Sequence, residues 1–119
     1  MYIKGARFPG RYIQAPGLIA RLGEESKSLG TKALVILDGN VSSFLEPSVR
    51  DGVQPLETTL LIHGGECSEA EIGRGVEAGK AAGADLVIGI GGGKALDTAK
   101  AAAFRLGSLP TVIVPTIAA

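Results

Sequence analysis

Apolar residues along this chain fall into short runs separated by polar, glycine-rich segments, and the runs alternate between strand and helix spacing. Lys32 to Leu37 is a brief run rich in branched residues, as expected for a strand covered on both faces of a parallel sheet, and it ends in the turn Asp38-Gly39-Asn40. Thr58 to His63, Asp85 to Gly89 and Thr111 to Val114 repeat the pattern, the last running into Pro115-Thr116. Between these runs the spacing is helical. Gly17 to Leu29 places Leu18, Ile19, Leu22 and Leu29 near one face and stops at Gly30. Val41 to Val53 predicts a short helix, with Ser42 or Ser43 as N-cap and Pro47 limiting it. Ser68-x-x-Glu71 has capping-box spacing for a helix running to about Ala82. Gly73, Gly75 and Gly79 each weaken that helix by up to about 1 kcal/mol relative to alanine, so tertiary packing has to hold it. Lys94 to Leu106 carries the stripe Leu96, Ala99, Ala103 and Leu106, closed by Gly107. Upstream, Phe8 to Gln14 is a short extended element broken by Pro9-Gly10.

Strands separated by helices predict an α/β fold with a parallel, doubly wound sheet, whose ligands bind beyond the carboxyl ends of the strands. That edge collects Asp38, the Gly64-Gly65-Glu66 loop, Gly91 to Lys94 and Thr116. The sharpest signal is Gly89-Ile90-Gly91-Gly92-Gly93-Lys94, where an apolar strand feeds a glycine loop that opens at once into an alanine-rich helix. Without Cβ atoms, backbone N–H groups approach an anion closely, the helix N-terminus adds partial positive charge, and Lys94 adds a full one. Two phosphate-loop patterns fail in detail. In G-x-G-x-x-G the third glycine falls on Lys94; in G-x-x-x-x-G-K-[ST] the first falls on Ile88 and the hydroxyl position is Ala95. The strand, glycine turn and helix N-terminus still suit a phosphate or nucleotide, and equally describe a tight strand-to-helix turn.

Other residues have two explanations each. Asp38 suits the two hydroxyls of an adenosine ribose, or is a turn aspartate. Asp97 is a candidate for the same site, although an i,i+3 pair with Lys100 accounts for it about as well. His63 reads as structural or surface, since no second histidine or carboxylate cluster lies at metal-ligand spacing, and Cys67 has no histidine partner motif to activate it.

Composition narrows the classes. The 119 residues are sufficient for one domain. Lysine plus arginine equal aspartate plus glutamate at 12 each, and aromatics are scarce, so nothing points to nucleic acid. The single cysteine excludes an internal disulfide and fits the cytoplasm. No apolar leader core and no window of about 18 apolar residues predicts secretion or a membrane span.

Together, Gly64-Gly65-Glu66-Cys67-Ser68, then Gly89 to Lys100, then Val114-Pro115-Thr116-Ile117-Ala118 resemble the glycerol dehydrogenases of the iron-containing (group III) alcohol dehydrogenase superfamily, over essentially the whole chain. The superfamily at large tends to have serine where Lys94 stands. The resemblance implies a Rossmann-like N-terminal domain, residues 1–119, that binds NAD, with Asp38 on the adenosine ribose, Gly92, Gly93 and Lys94 on the pyrophosphate, and Thr116 near the cofactor. Family members are much longer, and their helical second domain supplies an Asp-His-His zinc or iron site that is absent here. The chain is therefore expected to be a truncated cofactor domain, inactive towards glycerol by itself, with no catalytic or metal-ligating residue of its own. The alternative is a nucleotide-binding or oligomerising module without chemistry. Self-association to a homo-oligomer is expected, because a sheet cut after Thr111 to Val114 would leave that run as an open edge.

Overall fold

In this computed structural model, residues 17–116 are described in full, and residues 2–3, 6–8, 11–13 and 117 by their backbone. Pro9-Gly10, Gln14, Ala118 and Ala119 lie outside the described residues. The elements run β1 (Tyr2–Ile3), β2 (Ala6–Phe8), β3 (Arg11–Ile13), a 3-10 turn (Ile19–Arg21), α1 (Leu22–Ser26), β4 (Lys32–Asp38), α2 (Gly39–Gly52), β5 (Glu57–His63), α3 (Glu69–Ala82), β6 (Leu86–Gly91), α4 (Gly93–Arg105) and β7 (Thr111–Ile117). The sheet order is β3-β2-β7-β6-β4-β5, with β1 also paired to β7. From β5 to β7 every pairing is parallel, whereas β1 and β2 join β7 antiparallel. The expected α/β, Rossmann-like sheet is present.

Alternation along the central strands assigns the two faces. Ala33, Val35 and Leu37 of β4 and Leu86, Ile88 and Ile90 of β6 bury against Leu18, just before the 3-10 turn, and against Leu22, Val41 and Val49 of helices α1 and α2. Leu34, Ile36 and Val87 bury on the opposite face against Ala99, Ala102 and Ala103 of α4, with Val76 of α3 packed on that cluster. The division follows from the right-handed sense of parallel crossovers. The path β4 to β5 moves one way along the sheet and places α2 on one face; β5 to β6 to β7 moves back and places α3 and α4 on the other. The direction of travel reverses between β4 and β6. Carboxyl-end clefts of such sheets form at this point.

Several predicted boundaries shift for local reasons. Helix α2 starts at Gly39, and its N-cap is Asp38, whose carboxylate accepts from Asn40 N–H, so neither Ser42 nor Ser43 caps it; Ser42 donates back to Gly39 O instead. Pro47 stays inside α2 on an exposed position, where solvent reaches the carbonyl it leaves free. Ser68 caps α3 through Glu71 N–H as expected, but the Glu71 carboxylate does not return to the cap residue; it accepts from Gly64 N–H at 2.8 Å.

The expected free edge at Thr111 to Val114 is corrected. Val112 and Val114 are fully buried, and β7 is paired with β6 on one side and with β1 and β2 on the other. The antiparallel pair of β2 and β3 lies beyond β7, so Thr111 to Val114 is not the sheet's edge; among the described strands β3 ends it on this side. Among the described residues, β5 forms the edge at the other end of the parallel strands, and the Arg74 guanidinium donates to Ile62 O at 2.6 Å beside it.

Close helix approaches explain part of the glycine content. A Cβ at Gly52 would fall 1.7 Å from Ile19 O, and one at Gly79 would fall 2.6 Å from Leu106 Cδ1, whereas Gly73 faces open space. Gly52→Ala should destabilise the fold by about 2–4 kcal/mol because backbone must move, and Gly73→Ala should stabilise it by about 0.5–1 kcal/mol through helix propensity. Urea unfolding of the two variants measures both signs.

Candidate functional site

Strand β4 delivers Asp38, β6 delivers the Gly91-Gly92 turn, and β5 delivers His63 and the loop behind it, all to the carboxyl edge of the sheet. Between them lies a cleft of about 300 Å³, lined by Asp38, Asn40, His63 and Gly65 on one side and by Gly92 to Ala95 on the other. It sits at the reversal between β4 and β6. A hollow of about 410 Å³ between the 3-10 turn and α2 is larger but lies away from this edge.

Asp38 holds the cleft together. One carboxylate oxygen accepts from Asn40 N–H at 2.9 Å and the other from Gly92 N–H at 3.0 Å, so a single side chain ties the starts of two βα junctions. The contact dictates its neighbour. Gly91 has φ +143°, and a Cβ there would lie 2.2 Å from Asp38 Cβ.

The amino end of α4 is open. Its N-cap is Gly92, which offers no side-chain acceptor, whereas Asp38 and Ser68 cap α2 and α3. The first helical bond is donated by Leu96 N–H to Gly92 O; the N–H groups of Gly93, Lys94 and Ala95 have no acceptor among the described residues. These residues line the cleft, and no protein atom lies within 4 Å of where a Cβ at Gly93 would be. The arrangement fits a diphosphate: three open donors, the partial positive charge of the helix end and the Lys94 ammonium. The Asp38 oxygens, each with one bond made, retain lone pairs for hydroxyl donors.

Of the structural and surface readings of His63, its burial decides for the structural one. It is 3% exposed; Nδ1 accepts from Gly65 N–H at 3.2 Å, and Nε2 lies 2.8 Å from Thr98 Oγ1. Because Thr98 donates its own proton to Lys94 O, Nε2 is the donor of that pair. The chain Gly65 to His63 to Thr98 to Lys94 thus ties the β5 loop to the start of α4. That loop is braced again by Glu71, whose carboxylate is held at a pKa of about 2, below its ordinary 4.5, first by the Arg74 guanidinium and then by Gly64 N–H.

The structure thus gathers Asp38, Gly92, Gly93 and Lys94, four of the six residues singled out from the sequence, around one cleft. Thr116 is half-buried in β7, one residue past the Pro115–Gly91 register and outside the lining. Asp97 is exposed on α4, also outside the lining, and among the described residues it forms no ion pair with Lys100. Sequence reasoning missed Asn40 and Ala95 as wall residues and the ion pair between Glu66 Oε1 and Lys94 Nζ at 2.9 Å, for which the position of the loop after β5 was the sole signal. Cys67 is an exposed free thiol. Among the described residues no three His, Cys, Asp or Glu side chains gather as metal ligands, and no helix is long and apolar enough to cross a membrane.

The family model for iron-containing alcohol dehydrogenases matches residues 9–119. The chain belongs to the iron-containing alcohol dehydrogenase family. Its similarity to the family's glycerol dehydrogenases is high: it is 45% identical to the glycerol dehydrogenase of Thermotoga maritima over 114 residues, 93% of this chain and 30% of that protein. A glycolaldehyde reductase of Halobacterium salinarum is 39% identical over 92% of the chain and 30% of its own length. The crystal structure of a probable glycerol dehydrogenase from Sinorhizobium meliloti superposes with a TM-score of 0.75 at 36% identity, covering 85% of this chain and 27% of that one. This family member thus spans about 30% of the length of the curated relatives it matches.

The Glu71 brace makes acid stability a test of the site's construction. A carboxyl whose pKa is depressed in the folded state contributes stability above its ordinary value, and that contribution is lost as pH falls from about 4.5 through about 2. The thermal midpoint should drop across this window. Glu71→Gln should flatten the drop without abolishing it, because Asp85, held low mainly by Lys32 N–H, titrates in the same direction. Melting curves at stepped pH check both.

Proposed function

We propose that these 119 residues are the dinucleotide-binding part of a glycerol dehydrogenase-like oxidoreductase that takes NAD and acts on a small polyol. One juxtaposition supports this above all: the start of α4 with Lys94, and the Asp38 carboxylate that Gly92 N–H ties to it, line a single cleft at the strand reversal. The N–H groups of Gly93, Lys94 and Ala95 and the Lys94 ammonium hold the pyrophosphate. Asp38 accepts from the ribose hydroxyls while keeping Asn40 and Gly92 in place. Thr116 approaches the same ligand from the β7 side.

NAD, when bound, supplies the hydride acceptor for alcohol oxidation. The chain's own residues bind and orient it. The described residues do not fit the zinc or iron that the resemblance implies for longer members, so no step is assigned to a metal here.

Two measurements test the proposal. Calorimetric titration should give NAD at least about tenfold tighter than NADP, because the Asp38 carboxylate faces the position of the 2′-phosphate; tighter NADP would remove Asp38 from the ribose. Glycerol and NAD with added zinc or iron should yield no NADH from these 119 residues, and turnover clear of contaminating enzyme would show a catalytic group that the cleft does not reveal.

A further inference from the structure

We propose that Glu66 competes with the dinucleotide's pyrophosphate for Lys94 and thereby sets the affinity and salt dependence of cofactor binding; this rests on the nucleotide assignment above. Gly65 has φ +111°, which turns the chain after β5 and sends Glu66 towards α4, where its carboxylate meets the Lys94 ammonium at 2.9 Å. Both side chains are largely exposed, at 74% and 64%, so they meet at the rim of the cleft. The loop beneath them is fixed by other groups: Gly64 N–H on Glu71, Gly65 N–H on His63, and Ser68 on Glu71 N–H. Glu66 therefore swings away from Lys94 without disturbing the loop that carries it.

The charge balance decides the direction of the effect. Lys94 is the only cationic side chain among the described lining residues, and Asp38 already contributes one negative charge. With Lys94 and about half a positive charge from each of the α2 and α4 amino ends, the cleft is positive by about one charge; Glu66 offsets most of it. A pyrophosphate carries negative charge to the same ammonium. Lysine has three donors, enough for both anions, but the two anions repel each other at such range, and the exposed carboxylate is the one free to move into water. Exposed ion pairs are weak, so the exchange is easily reversible and its effect moderate.

Titration of the 119-residue chain with NAD, comparing wild type, Glu66→Gln, Lys94→Met and the double variant, tests the exchange. At low ionic strength Glu66→Gln should bind NAD about two- to five-fold tighter than wild type. The gain should shrink at about 0.5 M salt, where the rim pair is screened, and should vanish in the Lys94→Met background. Equal or weaker binding by Glu66→Gln, with wild type still binding, overturns the exchange and leaves the nucleotide assignment standing. An undiminished gain without Lys94 also overturns it, since the effect would then be general charge. Failure of both wild type and Glu66→Gln to bind NAD overturns the nucleotide assignment and the exchange with it.

Discussion

The Asp38 carboxylate is the constraint on which the carboxyl edge of this molecule depends. Strands β4 and β6 are neighbours whose following segments diverge to opposite faces, which opens a gap between the junctions. One carboxylate spans that gap by accepting Asn40 N–H on one side and Gly92 N–H on the other. Hydrogen bonds to an ionised acceptor are stronger than neutral ones, so the tie also stiffens the loop. Its geometry requires glycine at 91, where a side chain would collide with Asp38 itself. By consuming Gly92 N–H, it leaves the next three amides of α4 to face the cleft.

A matching tie operates at the opposite end of the same strand pair. The Asp85 carboxylate, just before β6, accepts from Thr31 N–H at 3.0 Å and Lys32 N–H at 2.9 Å at the start of β4. Between these two aspartates the β4–β6 ladder is buried on both faces, and close contact with the helices comes from missing side chains: a Cβ at Gly89 would lie 2.7 Å from Ala99 Cβ. Alanine and glycine thus bring α4 down onto β6, and the position of its amino end is inherited from that packing. The inner part of the cleft is backbone held by these hydrogen bonds, and at its rim Glu66 and Lys94 lie in solvent.

What the amino-acid sequence determined by itself was local. The short branched runs defined the four parallel strands, and the changes of period between them defined the helices. The turn residues placed Asp38, the Gly64-Gly65 loop and the Gly91 to Lys94 loop at strand ends. These features are legible because burial on one or both faces imposes a period on the side chains, and because a strand-to-helix turn near an anion calls for glycine.

Tertiary structure decided the rest. Backbone ladders do not depend on side-chain identity, so nothing in the runs announced that β4 lies between β5 and β6, or that β1 and β2 pair with β7 and cover the edge expected to be open. The cap of α2 fell to Asp38 and not to a serine through a local bond from Asn40 N–H two residues on, whereas Glu71 turned from its own helix to Gly64, an amide that the fold of the loop after β5 brings within reach. The Glu66–Lys94 pair joins residues 28 apart in sequence through a strand crossover, and a contact of that kind arises from where the helices land on the sheet.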